Sequence, residues 1–395
     1  MTSEYQHVAR IRILIGDAIA RLRELPDESV HCCVTSPPYW GLRDYGTARW
    51  EGGDAACDHL MPMGGGTKAS GLAKYANGLD DETIAAKVEQ RRKQYPGECK
   101  RCGAVRRDEQ IGLEPTPEAY VARMVEVFAE VRRVLRPDGT LWLNLGDSYA
   151  RSPSRGVKFQ SGGSTYLTNR QADEGNRGPA IPPGLKEKDL VGIPWRVAFA
   201  LQDDGWWLRS DIIWHKPNPM PESVTDRPTK SHEYVFLLTK SARYFYDAAA
   251  IREPDAGTDH ARKVLDGPSL EPSGGLMSRH KGIRTVEGRN GQGRNARSVW
   301  SITTKPFPGS HFATMPPDLA ERCILAGCPK GGVVLDPFGG AGTTGLVADR
   351  LGRDAITIEL NPSYAEMASG RIKADSNLFA SIEIVDGEPH DGFPT

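Results

Sequence analysis

An apolar run, Val333-Val334-Leu335, breaks off into Asp336-Pro337-Phe338-Gly339-Gly340-Ala341-Gly342-Thr343-Thr344-Gly345, and few stretches limit a fold so tightly. The pattern predicts a buried strand, a tight turn, a helix running to Leu351 and a further strand over Ala355–Ile358. Strand–helix–strand units of this kind build parallel α/β sheets. Glycines in the turn let the backbone approach a bound group, and the helix N-terminus favours a negative one such as a carboxylate. Gly340, Gly342 and Gly345 spell G-x-G-x-x-G, so a nicotinamide-dependent oxidoreductase must be weighed. Glu359 follows about 20 residues on, where an acid gripping ribose hydroxyls is expected. Asp336 separates the readings. An acid at the strand's end repels a pyrophosphate but suits a cofactor carrying an ammonium, such as S-adenosylmethionine. A turn that binds nothing is the plain alternative.

A second unit opens the chain. Arg12–Ile15 reads as a strand ending at Gly16-Asp17, Ala18–Leu25 as a helix, and Val30–Val34 as the next strand. That strand runs into Thr35-Ser36-Pro37-Pro38-Tyr39-Trp40. Consecutive prolines hold the chain extended and stiff, so the Ser36 hydroxyl and the Pro37 carbonyl are fixed acceptors beside the Tyr39 ring. Further on, Thr116 can cap a helix with Pro117 in its first turn and an apolar face of Val121, Met124, Val125, Phe128, Val131 and Leu135. Arg136-Pro137-Asp138-Gly139 reads as a turn into the strand Thr140–Leu145. Leu208–Trp214 and Tyr234–Thr239 read as two more strands, the second an antiparallel edge. Another helix is expected after Pro316-Pro317.

The bulk properties exclude several classes. No apolar run among the 395 residues approaches membrane-spanning length, and Met1–Ala20 lacks the layout of a signal peptide, so no membrane partner is expected. Seven cysteines, an odd number, argue against a disulfide framework and for a reduced cytoplasm. With a net charge of −1, a polyanion would have to be met by a local basic patch.

DPFGGAGTT followed by IELNPSY, with TSPPYW far upstream, resembles the β-class amino-methyltransferases of DNA, in which the catalytic motif precedes the cofactor motif. GTLWLNLGDSY, DIIWHKPNPMPES and HFATMPPDL extend the resemblance over most of the chain outside two glycine-rich insertions. It implies a Rossmann-like, seven-stranded methyltransferase sheet in permuted chain order. It also implies S-adenosylmethionine as cofactor and double-stranded DNA as substrate. Ser36, Pro37, Pro38 and Tyr39 then become the catalytic residues. With both N–H hydrogens accepted, an exocyclic amine can pyramidalise and aim its lone pair at the sulfonium methyl, while Tyr39 stacks on a flipped base. The cofactor-binding set becomes Thr35, Asp336, Phe338, Gly340, Gly342, Thr343, Thr344, Glu359 and Asn361. Asp17 resembles the acid that contacts the cofactor adenine and equally suits a helix N-cap. His311 and Phe312 resemble the segment that closes over the cofactor, with simple packing as the alternative. The serine form of the motif is associated mainly with N4 of cytosine, and N6 of adenine stays open as the target. A homodimer and a paired restriction endonuclease stay open as partners.

Two segments stand outside these motifs. Cys57-x-His59 and Cys99-x-x-Cys102-Gly103 suit a tetrahedral structural zinc site, with unliganded thiols as the alternative. Cys32, Cys33, Cys323 and Cys328 read as core residues. Arg279, Lys281, Arg284, Arg289, Arg294 and Arg297 make a basic stretch that suits DNA contact, or a basic linker. The resulting division assigns 1–44 and 113–250 to the catalytic part, 45–112 to a zinc insertion and 251–300 to target recognition. Residues 301–375 form the cofactor part and 376–395 a tail. A non-catalytic, zinc-stapled DNA-binding protein is the remaining rival.

Overall fold

The computed structural model describes residues 9–41, 47–54, 56–57, 98–99, 101–150, 181–254, 293–304, 315–376 and 381–386. Two motif strands lie side by side at its centre: β2 (Val30–Thr35), which runs into the Pro-Pro segment, and β9 (Val333–Asp336), which runs into the glycine turn. From β9 the sheet continues through β10 (Asp354–Glu359) and β1 (Arg10–Ile15) to the edge strand β11 (Ser381–Val385). From β2 it continues through β5 (Leu135–Leu145), β7 (His232–Thr239) and β6 (Trp207–His215) to the other edge, β8 (Val299–Ser301). Every neighbouring pair is parallel except the two that β7 makes. Because the chain leaves β2 and β9 towards opposite sides, a crevice opens outside their carboxyl ends, where open α/β sheets bind ligands. A separate hairpin, β3 (Arg49–Glu51) with β4 (Val105–Arg107), lies in the cysteine-bearing insertion.

Alternation along each strand divides the core in two. Cys33, Leu141, Leu143, Phe236 and Leu238 face α1 (Ala18–Arg23), α2 (Pro117–Val134) and α3 (Ile193–Asp203). Cys32, Val34, Trp142, Val235 and Leu237 face α4 (Pro317–Gly327), α5 (Thr343–Arg350) and α6 (Pro362–Asp375). Each large apolar side chain buried this way contributes about 1.5–3 kcal/mol. Cys32, Cys33, Cys323 and Cys328 are all buried here, as their surroundings predict.

Several expectations are corrected. Among the described residues the sheet carries nine strands where seven were expected, because short strands β11 and β8 are added at its edges; β11 falls in the region assigned to a tail. β7 is interior, lying between β5 and β6, so its antiparallel direction does not mark an edge. Arg136–Gly139 belongs to β5, whose register against β2 shifts between Val30 and Cys32, so the chain passes from helix to strand without a separate turn. The buried face of α2 is Tyr120, Met124, Val127, Phe128, Val131 and Val134, with Val121 and Val125 only partly covered beside it. Thr116 does cap this helix, its hydroxyl accepting from the Ala119 amide at 3.2 Å. Among the described residues no helix is long and apolar enough to cross a membrane.

Candidate active site

At the end of β2, the Thr35 hydroxyl donates to Asp336 Oδ1 at 2.6 Å and so joins the Pro-Pro motif to the glycine turn across 301 positions of sequence. The Thr344 hydroxyl donates to Asp336 Oδ2 at 2.7 Å, and the Phe338 amide to Oδ1 at 3.0 Å. Asp336 is only 4% exposed, and burial pushes its carboxyl above the ordinary range. Three donors on one buried carboxylate make it the organiser of the turn.

Glu359, at the end of β10, braces the turn from the other side. Its carboxylate accepts from the Gly340 amide at 2.8 Å and the Asn361 amide at 2.9 Å. Burial nevertheless outweighs these amide bonds and pushes it up to about 7. Gly340 and Gly342 both take positive φ, at 51° and 74°. A Cβ on Gly342 would stand 2.7 Å from that of Ala368, so the turn has room only for glycine there. Thr343 and Thr344 begin α5 behind the turn. Asn361 caps α6 by accepting from the Ser363 amide at 3.0 Å. Asp17 caps α1 by accepting from the Ala20 amide at 3.0 Å, and its other oxygen lies 3.5 Å from Arg123. Of the two roles the sequence left open for Asp17, the cap is therefore formed.

On the catalytic side the Pro-Pro segment is clamped. The Tyr120 hydroxyl of α2 donates to the Pro38 carbonyl at 3.0 Å, and Trp40 Nε1 to the Glu114 carbonyl at 2.8 Å. The Tyr39 ring packs on Gly146, where a Cβ would come within 2.5 Å of it. Its hydroxyl donates to Glu233 Oε2 at 2.8 Å, and burial holds that phenol well above its ordinary pKa. Asn144, in β5, donates through Nδ2 to the Tyr234 carbonyl at 3.0 Å and to Glu233 Oε2 at 3.2 Å. This fixes the amide so that its Oδ1 accepts, with the Tyr39 hydroxyl 3.1 Å and the Ser36 hydroxyl 3.2 Å from it, and Ser36 Oγ also lies 3.3 Å from the Tyr39 oxygen. Lys216 closes the network with an ion pair to Glu233. A serine that donates inward keeps its lone pairs for an incoming donor.

Asn144, Lys216, Glu233 and Tyr120 are neighbours of the Pro-Pro segment that the sequence reading did not single out. Asn144, Glu233 and Lys216 are brought there by the order β2-β5-β7-β6, which no local pattern spells, and Tyr120 by α2.

The remaining candidates divide. Cys57, Cys99 and Cys102 bring their sulfurs within 4.8 Å of one another, with Cys57 and Cys99 3.9 Å apart. Sulfurs about 2.3 Å from a tetrahedral zinc lie about 3.8 Å apart, so this donor set fits the ion. Gly103, at φ 76°, turns the chain between Cys99 and Ala104, as a knuckle requires. His59, His311, Phe312, Arg279, Lys281, Arg284 and Arg289 lie outside the described residues. Arg294 and Arg297 instead pair with Glu253, at 3.2 and 2.9 Å, and Arg322 joins them at 3.3 Å. The Arg297 amide, donating to Glu253 Oε1 at 3.2 Å, together with the Arg297 and Arg294 side chains holds Glu253 down at about 2.

A family model described as DNA methylase matches residues 30–370. The chain is 42% identical over 362 residues to the type II methyltransferase M.XycI of Xanthomonas campestris pv. cyanopsidis, covering 92% of this chain and 87% of that protein. It is 40% identical over 366 residues to M.Cfr9I of Citrobacter freundii, covering 92% and 88%. In fold it is similar to the cytosine-N4-specific PvuII DNA methyltransferase, with a TM-score of 0.50, 17% identity and coverage of 96% and 95%.

Proposed function

The chain belongs to the N6/N4 DNA methylase family and is a DNA methyltransferase, and from that premise we propose that it methylates N4 of cytosine in double-stranded DNA, using S-adenosylmethionine. The observation that carries the choice of amine acceptor is the orientation of Ser36, whose hydroxyl donates inward, to Asn144 Oδ1 or the Tyr39 oxygen, and whose lone pairs remain for a donor.

S-adenosylmethionine supplies an electrophilic sulfonium methyl. The chain supplies the rest. Asp336 and Glu359 hold the glycine turn in shape, and Glu359, whose two oxygens accept backbone amides and keep further lone pairs, suits ribose hydroxyls. Phe338, Gly340, Gly342, Thr343, Thr344 and Thr35 surround the same crevice, with His311 and Phe312 assigned to its cover. Asp17 and Asn361 act here as caps that fix the helix starts on either side. Ser36 Oγ and the Pro37 carbonyl each accept one amine N–H, which turns the nitrogen lone pair out of conjugation. Positioning of this kind replaces covalent catalysis. Tyr39 stacks on the extruded base, its ring oriented by the bond to Glu233. A neutral acceptor can orient either amine, and it is the serine form of the motif, with Trp40, that favours cytosine N4 over adenine N6.

The order of motifs supports a permuted methyltransferase sheet, and Cys57, Cys99 and Cys102, with His59 as fourth ligand, support a structural zinc that staples the insertion. The type II naming of the relatives supports a paired restriction endonuclease. Digesting DNA treated with the chain and methyl-labelled S-adenosylmethionine, followed by nucleoside mass spectrometry, tests the target. Labelled N4-methylcytosine is expected; labelled N6-methyladenine alone would overturn the choice of base.

A further inference from the structure

A lysine beside the active site pairs with no carboxylate among the described residues. Three lysines and arginines lie between positions 216 and 231, on the connection from β6 to β7. Lys216 pairs with Glu233, and Arg227 with Glu222 at 2.6 Å. Lys230, half-buried, instead donates to the backbone carbonyl of Asp147 at 3.3 Å. The Asp147 carboxylate is committed elsewhere, to the amides of Ser148, Gly192 and Ile193 at 2.9, 3.0 and 3.1 Å.

An ammonium taken out of water without an anion is unfavourable. Burial accordingly pulls Lys230 below its ordinary pKa, and the charges of Asp147, Glu233 and Glu222 do not offset it. Its position gives the missing anion a chemistry. Asp147 follows Gly146, the residue on which the Tyr39 ring packs, and Lys230 stands three residues before Glu233, which holds the Tyr39 hydroxyl. Lys230 therefore sits at the rim of the place where Tyr39 would receive a base.

We propose that the Lys230 ammonium seats a backbone phosphate of the DNA strand whose base is presented to Ser36. This rests on the reading of the chain as a duplex-DNA methyltransferase. A phosphate there completes the charge of Lys230 and fixes the backbone next to the extruded nucleotide. It adds position without adding sequence preference.

The test is fluorescence anisotropy of the full chain with a duplex fragment that the wild type methylates, over a series of sodium chloride concentrations. One phosphate contact contributes about 0.9 to the slope of log affinity against log salt. Lys230→Met, which keeps the alkyl stem, should weaken binding at low salt and lower that slope by about 0.9. Lys230→Arg should restore it. Melting temperature and S-adenosylhomocysteine affinity should stay at wild-type values in both variants. A wild-type slope in Lys230→Met would overturn the proposal, all the more so with a lowered melting temperature, since Lys230 would then only brace the Asp147 carbonyl. A wild-type chain that neither bound nor methylated duplex DNA would remove the functional reading itself, and the two failures are distinct.

Discussion

The two halves of the crevice, both built at carboxyl ends of neighbouring strands, use their polar groups in opposite ways. On the cofactor side the carboxylates point into the protein. Asp336 accepts from Thr35, Thr344 and the Phe338 amide, and Glu359 from the amides of Gly340 and Asn361. On the catalytic side, Glu233, Asn144 and Tyr39 satisfy one another and leave Ser36 with acceptor capacity. One half is a shaped receptacle and the other a single aimed oxygen. The comparison teaches that the motif acids act first by setting backbone shape, while the proposed acceptor of the amine is a neutral hydroxyl.

Removing the aimed oxygen should have the largest effect. Ser36→Ala should reduce the methyl-transfer rate constant by about 10²–10³-fold, the scale set by removing one preorganised polar contact. Single-turnover transfer to duplex DNA measures it, and a wild-type rate would detach Ser36 from the chemistry.

Tyr39 offers two graded cuts. Tyr39→Ala should lose about 1–3 kcal/mol of stacking on the base. Tyr39→Phe keeps the ring and removes one bond to Glu233, about 0.5–1.5 kcal/mol. Turnover on duplex DNA should therefore fall further for the alanine variant; equal losses would give the ring no role of its own.

Glu359 sharpens the contrast through pH. Its carboxyl stands at about 7 in the fold against an ordinary 4.5, so the folded chain retains a proton that the unfolded chain has released between those values. The resulting stabilisation is complete below about 4.5 and is lost as pH rises through about 7. The change should be on the order of 1–3 kcal/mol. Thermal melting of the cofactor-free chain should decline across this window, and Glu359→Gln should flatten the decline. An identical decline in that variant would assign the titration to another group.

The smallest effect on the crevice should come from the metal cluster. Cys99→Ser with Cys102→Ser should release zinc, measured by metal analysis, while the melting transition of the sheet stays in place. Protein purified without chelator that carried no zinc would end the zinc assignment.

What could be read in the sequence differs along the same division. The glycine turn and the Pro-Pro segment announce themselves because their backbone demands are local: glycine at Gly342 is forced by Ala368, and proline stiffness needs no partner. The Thr116 cap and its helix were legible for the same reason. Asn144, Glu233 and Lys216 look like ordinary strand residues, since their roles arise only when β5, β7 and β6 are laid beside β2. β7 shows the same limit. Its antiparallel direction suggested an edge, yet β6 and β8 extend the sheet beyond it. Arg294 and Arg297 read as part of a basic stretch suited to DNA contact or a linker, and the fold pairs both with Glu253.

The central claim is that cofactor binding and amine orientation are held by separate groups on the two sides of one crevice. Calorimetric titration of S-adenosylhomocysteine into Ser36→Ala and into Asp336→Ala tests it most directly. The account predicts wild-type affinity in the first and a loss of about 1.5–3 kcal/mol in the second, where the turn loses its buried carboxylate. Equal losses in both variants, or unchanged affinity in Asp336→Ala, would contradict it.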